Sequence, residues 1–326
     1  MKGLHMQYNP ADLSKVTTYP LAERRNKMEM RRDAAGDVAA GMTVAQLLTA
    51  MPPMLGAEAL NRVITAIVAA REKGKPVVLA IGGHVIKCGL QPVLQRLVEA
   101  DVITAFAMNG SGSIHDYELS LVAATSEDVD SVLHCGTFGM AEETGRDINR
   151  ALREGVVAGC GYGEAVGRFI LRNGNPFKEY SLLALCATRD IPVTVHVAIG
   201  NDIIHQHPDA DGAIIGEASF RDFRLFTSII SELGDGGVYL NIGSAVILPE
   251  VFLKALSIAQ NLGHHVDNFT TANFDMQQHY RPLQNVVKRP TSGHSQGYTV
   301  TGHHEIMIPL LAAGILDRIG RQDRFL

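Results

Sequence analysis

The stretch Pro76-Val-Val-Leu-Ala-Ile-Gly-Gly-His84 decides the fold. Its apolar residues run without a polar break and stop at two glycines. A strand with one wet face alternates polar and apolar side chains, whereas one covered on both faces does not. Residues 76–81 therefore read as a buried parallel strand. Before it, 56–73 reads as a helix with Leu60, Ile64, Ile67 and Val68 on one face. After it, the spacing predicts a helix over 89–100 and a strand over 102–108 that ends in Asn109-Gly-Ser-Gly-Ser113. The same unit recurs. A helix over 182–189 leads to a strand over 192–197 ending in Gly200-Asn-Asp202. A helix over 220–233 leads to a strand over 237–241 ending in Gly243-Ser244. A helix over 249–261 leads to a strand over 266–271. This alternation predicts an α/β fold, a doubly wound, Rossmann-like parallel sheet with helices on both faces. No composition break appears, so 56–326 reads as a single domain. Residues 1–55 read as an N-terminal arm, solvated or in contact with another subunit, with a short helix that Thr43 caps and Pro52-Pro53 stops.

Composition narrows the function. The chain has 326 residues, 46% of them hydrophobic and 19% charged, with a net charge of −5. That balance suits a soluble globular protein and disfavours a nucleic-acid footprint. No apolar run reaches the roughly 20 residues of a membrane span. No secretory leader is read at the start. Cys88, Cys135, Cys160 and Cys186 lie far apart, which fits a reducing, cytoplasmic setting better than a disulfide scaffold or zinc ribbon.

In open parallel sheets, ligands bind beyond the carboxyl ends of the strands. Four strand ends here are small, polar or glycine-containing: Gly82-Gly83-His84, Asn109-Gly110-Ser111-Gly112, Gly200-Asn201-Asp202 and Gly243-Ser244-Ala245. Such turns let backbone N–H groups approach a phosphate, so they point to a nucleotide ligand. The acid–base candidates nearby are His84, His115, Asp116, Asp202, His205 and Glu250. Asp116 and Asp202 follow different strand-end turns and could face one cleft, although Asp116 also suits a helix cap near Tyr117. Glu250 equally suits the first turn of a helix. Gly161-Tyr-Gly163-Glu-Ala-Val-Gly167 lacks a preceding strand and reads as a closely packed helix start. His205-Gln-His207-Pro-Asp209-Ala-Asp211 reads as turn material rather than a metal site. Thr301 is expected to cap a helix carrying His303-His304-Glu305. No nucleophile elbow or P-loop is present.

From about Gly56 to Leu316 the order of these segments resembles the deoxyhypusine synthase family. Ile81-Gly-Gly-His-Val-Ile-Lys-Cys-Gly89 and Met108-Asn-Gly-Ser-Gly-Ser-Ile-His-Asp116 resemble its first two NAD-contacting turns. Ile191-Pro-Val-Thr-Val-His-Val-Ala-Ile-Gly-Asn-Asp202 resembles its Ile-Pro-Val strand and following turn. Phe269-Thr-Thr-Ala-Asn-Phe-Asp275 resembles its Asn-Thr-Ala-x-x-Phe-Asp segment, and Asn241 to Glu250 takes the place of the segment before its catalytic lysine. The resemblance implies NAD held by Gly82, Gly83, Asn109, Gly110, Ser111, Gly112, Asp202, Gly243, Ser244, Thr271, Ala272 and Asp275. It also implies a homotetramer, or at least a dimer. Where that family has an imine-forming lysine, this chain has Leu248, and it contains no tryptophan.

The expectation is an NAD-binding protein, an enzyme on a small amine or alcohol without the lysine-imine step. A non-catalytic nucleotide sensor and a metal-assisted hydrolase or lyase using the histidine-rich segments are the alternatives. The partners expected are a small-molecule substrate and copies of the same chain, with no nucleic acid and no membrane.

Overall fold

The computed structural model describes residues 8–322. Helices α1 (Met30–Asp33) and α2 (Val44–Ala50) precede α3 (Leu55–Glu72), which leads into strand β1 (Val77–Ile81). Short α4 (Gly83–Lys87) and α5 (Gln91–Glu99) connect to β2 (Ala105–Asn109). Five helices follow: α6 (Gly110–Val122), α7 (Val129–Val132), α8 (Glu142–Val157), α9 (Tyr162–Asn173) and α10 (Leu182–Thr188). Then come β3 (Val193–His196), α11 (Gly212–Ser231), β4 (Val238–Ile242), α12 (Ile247–Asn261) and β5 (Thr270–Asp275). The chain continues through α13 (Tyr280–Pro282), a π-helical turn over Leu283–Lys288, β6 (Gln296–Thr301) and α14 (His304–Gln322).

The six strands are all parallel, in the order β3-β2-β1-β4-β5-β6. The doubly wound, parallel α/β sheet read from the sequence is therefore the fold observed. Each strand has two faces and each face has its own core. Val77, Leu79 and Ile81 of β1 join Phe106, Val195, Leu240 and Phe274 under α3, α5, α6, α8, α9, α10 and α14. Val78 and Ala80 join Ala107, Tyr239, Phe226 and Phe252 under α11, α12 and the π-helical turn. Period-two placement on a sheet buried on both sides explains the unbroken apolar runs. Leu48 of α2 enters the first core and presses on Gly314 of α14, so part of the expected arm lies against the sheet's cover. No helix among the described residues is long and apolar enough to cross a membrane.

Several expected boundaries move. The strand expected over 266–271 lies at Thr270–Asp275, because Asn268 turns at φ 55° and the ladder to β4 starts after it. The helix expected at 220 begins at Gly212, where the Asp211 carboxylate accepts from the N–H groups of Ala213 and Ile214. Thr301 closes strand β6 rather than capping a helix; α14 starts three residues later. Strand β6 is an edge strand and mostly polar, so its apolar signal is weak.

One buried carboxylate ties three elements together. Asp222 of α11 is 1% exposed, and its Oδ2 accepts from Val195 N of β3 at 2.7 Å and Gly163 N of α9 at 2.9 Å. Gly161 and Gly163 are glycines because a Cβ would lie 1.8 Å from Asp222 Oδ1 and 2.0 Å from the Val193 carbonyl oxygen. This confirms the close-packed helix start expected at 161–167. Asp222→Ala strands two buried N–H groups, each costing about 1–3 kcal/mol. Urea unfolding should show a loss of about 2–4 kcal/mol, whereas a loss under about 0.5 kcal/mol, the range of neutral surface changes, would contradict the clamp.

Candidate functional site

In this strand order the chain reverses direction across the sheet between β1 and β4, so the crevice beyond their carboxyl ends is the expected ligand position. Gly82 N donates to the Ile242 carbonyl at 2.9 Å, which carries the ladder past the end of β1. A Cβ on Gly82 would lie 2.1 Å from the Gly243 carbonyl oxygen. Gly243 itself has φ 67°, and a Cβ there would lie 2.7 Å from His304 Nε2. His304 is buried, with its ring 5.9 Å from that of exposed His84. Thus Gly82, Gly83, Ser244, His84 and His304 meet at the crevice. His304 is absent from the acid–base candidates of the sequence, because the mostly polar strand β6 before it gives no apolar signal.

On the β2 side, Asp202 comes over from the β3 connection. Its Oδ2 would lie 1.9 Å from a Cβ on Gly110, so the carboxylate covers the first turn of α6. That turn was expected to take a phosphate. The carboxylate already placed there repels an anion, and Asn109 uses its side chain to cap its own helix at Gly112 N. His205 Nδ1 accepts from Gly200 N at 3.2 Å and Asp202 N at 3.3 Å. Its proton is therefore on Nε2, 3.9 Å from Asp202 Oδ2, with the two side chains 5% and 1% exposed. Burial raises the Asp202 carboxyl to about 6 and pushes the His205 imidazole down.

Other candidates lie elsewhere. Asp116 is fully enclosed inside α6, which starts at Gly110 and not near Tyr117. Its carboxylate accepts from Ser181 Oγ, Leu182 N and Leu183 N, so it caps α10 and faces no cleft. Glu250 is held by Lys254, by Asn285 Nδ2 at 2.9 Å and by Arg281 at 3.3 Å. The hydrogen bond from Lys254 first, then the neighbouring cations, hold its carboxyl below the usual range, which makes it a poor base. Thr271 and Ala272 lie inside β5 and not at its end: Thr271 Oγ1 donates to the Val286 carbonyl at 2.7 Å, and Ala272 is in the first core. Asp275, the last residue of β5, does reach the edge and lies near enough to His304 to act on its charge.

Six buried side-chain polar atoms have no hydrogen-bond partner among the described residues: Asp202 Oδ2, His205 Nε2, His207 Nδ1, Tyr239 OH, Asn241 Oδ1 and His304 Nδ1. Native structures pair nearly all such atoms. Tyr239 sits inside the second core, stacked on Phe252. His207 packs against Gly145 of α8, with Nδ1 3.5 Å from Asp209 Oδ2, while Asp202 and His205 belong to the segment after β3, Asn241 to the end of β4 and His304 to the segment after β6. Asn241 and its neighbour Asn273 are joined side chain to side chain at 2.7 Å, a buried polar pair that no sequence signal singled out. These atoms are the kind that a polar ligand with phosphate, hydroxyl and amide groups would satisfy. Surface cavities beside Phe220, His265 and Asp101, and a smaller one beside Val193 at the opposite end of β3, hold none of these groups. No group of three or more potential metal ligands occurs among the described residues.

No protein-family model matches the chain, and no curated protein sequence matches it. Solved structures do. A conserved protein of Methanococcus maripaludis S2, provisionally labelled LOR/SDH, has a TM-score of 0.52 and 14% identity over 87% of this chain and 73% of its own. AgrE, in a ternary complex with ornithine and NAD+, has a TM-score of 0.51 and 15% identity over 80% of this chain. The chain spans about a third of AgrE, 33% of its length. A protein of Entamoeba histolytica provisionally labelled deoxyhypusine synthase has a TM-score of 0.48 and 12% identity, too low to carry an argument by itself. At these identities the shared property is the fold.

His196, the last residue of β3, offers a test of how dry this edge is. It is buried, with Nε2 3.0 Å from Thr194 Oγ1 and its ring edge-on to Phe226. Burial drives its pKa from 6.5 down to about 3. Between those values the unfolded chain holds the extra proton, so stability falls as pH falls through the window, by up to about 1.4 kcal/mol per pH unit. His196→Gln removes this dependence. Wild type should lose stability relative to the variant between pH 7 and pH 4, and a constant difference would show that His196 is hydrated.

Proposed function

We propose that the chain binds NAD along the carboxyl edge of its sheet and is an enzyme acting on a small amine or alcohol. The observation that carries this reading is the row of unpartnered buried polar atoms from Asp202 and His205, past Asn241, to His304. An acceptor at Asp202 Oδ2 beside a donor at His205 Nε2 suits a hydroxyl, which both donates and accepts, as a ribose does. Gly82 and Gly243 give their own N–H groups to the Ile242 and Phe274 carbonyls, so the phosphates are placed at the N–H groups that follow Gly82, in the first turn of α4. AgrE, which shares this fold over a third of its length, was crystallised with NAD+ and ornithine, which is a precedent for the cofactor and for an amine-bearing substrate. When bound, the nicotinamide ring supplies an acceptor for hydride. Leu248 is buried in the second core and Lys254 is paired with Glu250, which supports chemistry without a lysine imine. Tyr8, Leu13, Val16, Tyr19 and Leu21 of the arm are more than half exposed, which supports assembly into a dimer or tetramer. Four free cysteines suit a reducing, cytoplasmic location.

Calorimetry with NAD tests the reading. Wild type should bind, and His304→Phe, which keeps a ring but removes the unpartnered nitrogen, should bind about tenfold more weakly, a change of about 1.4 kcal/mol. No binding by wild type, or equal affinity in the variant, would refute it.

A further inference from the structure

The second turn of α6 carries a hydrogen-bonded chain outside the row of unpartnered atoms. Thr125 Oγ1 donates to Glu118 Oε2, and Thr144 Oγ1 donates to Glu118 Oε1 at 3.1 Å. His115 Nδ1 lies 2.7 Å from Thr125 Oγ1 and 3.7 Å from Glu118 Oε2. A hydroxyl has one proton, and Thr125 gives its proton to the carboxylate. Towards His115 it can only accept, so Nδ1 carries the ring proton and Nε2 carries the lone pair. Despite burial, the nearby His115 ring and the hydrogen bonds from Thr125 and Thr144 hold the Glu118 carboxyl below its ordinary value, which keeps it the acceptor in this chain. His115 Nε2 has no protein partner and is not among the buried unpartnered atoms, so it is open to solvent. The ring's Cδ2 edge, next to Nε2, lies 3.2 Å from where a Cβ of Gly83 would be, with Ser111 Oγ 2.5 Å from the same point. His115 therefore stands at the mouth of the crevice, beside the turn after β1.

We propose that His115 is the proton-accepting group of this site, with Glu118 and Thr125 as its positioning residues. The proposal rests on reading the strand edge as the ligand crevice. A substrate hydroxyl would give its proton to Nε2, its bonding pair staying on the oxygen. The ring then becomes cationic, with Nδ1–H still donating to Thr125 and Glu118 offsetting the new charge. A carboxylate that orients an imidazole and stabilises its charged form is how general bases of this type are built. Among the sequence candidates, this geometry separates His115 from Asp116 and Glu250, which are engaged elsewhere, and from His205, whose unpartnered nitrogen is a donor.

Nitrogen-15 NMR of the histidine rings tests this without nucleotide or substrate. Wild type at neutral pH should show His115 as the Nδ1–H tautomer, the opposite of the Nε2–H form that neutral histidine favours in water. Thr125→Val should switch it to Nε2–H, and Thr125→Ser should restore Nδ1–H. An Nε2–H ring in wild type, or no switch in Thr125→Val, would overturn the proposal. Diethyl pyrocarbonate should label His115 in wild type, and failure to label it while exposed His84 reacts would show Nε2 closed and equally overturn it. A failed NAD titration beside the expected tautomers would instead count against the cofactor.

Discussion

Where Gly82 meets Gly243, two backbones touch with no room for a side chain between them. The N–H of Gly82 completes one more rung of the β1–β4 ladder, and the Gly243 carbonyl lies where a Cβ would be. This contact closes the sheet at the place where its strand order reverses. It sets α4 against the loop that leads into α12, and it leaves Gly243 at a positive φ beneath the His304 ring. A larger residue at either position would wedge the two halves apart and disperse the groups that gather there. The glycines are thus explained by packing first, and a ligand approaching the edge makes use of a contact the fold already requires.

Around that contact the carboxyl edge is divided by chemistry. On the β3 and β2 side, Asp202 and His205 offer a buried acceptor and a buried donor, and the carboxylate keeps anions away from the start of α6. On the β4 to β6 side lie the joined pair Asn241 and Asn273, Asp275 at the end of β5 and His304 at the start of α14, all buried. Between them, His115 is held by Thr125 and Glu118 beside Gly83. Burial of polar atoms without partners costs free energy, and a ligand that pairs them recovers it. That is the physical reason for placing the ligand here and not in the cavities at the other end of the sheet.

Much of the architecture was legible because a sheet covered on both faces writes unbroken apolar runs, as in Val77–Ile81 and, up to Met108, in Ala105–Asn109. The edge strand β6 and the polar end of β5 were not, since Thr271 and Asn273 are buried by hydrogen bonds rather than by apolar contacts. Gly110-Ser-Gly-Ser113 looked like a loop yet forms the first turn of α6, where Gly110 must clear Asp202 and Gly112 must clear Met108. The site shows the same division. The crevice glycines, His84, His115, Asp202 and His205 could be found by their nearness to strand ends. Asp116 was misread because its partners, at Ser181 to Leu183, are over sixty residues away. Glu118, one helical turn after His115, Thr125, in the segment after α6, and Thr144, from α8, carry no motif, and only the fold brings the two hydroxyls to that carboxylate.

The claim that the carboxyl edge between β1 and β4 is the ligand site is tested most directly by hydrogen–deuterium exchange with and without NAD. The account predicts slowed exchange in the segments after β1, β2, β4 and β6, around Gly83, Ser111, Ser244 and His304. Protection confined to the cavity beside Val193, or no protection anywhere, would contradict it.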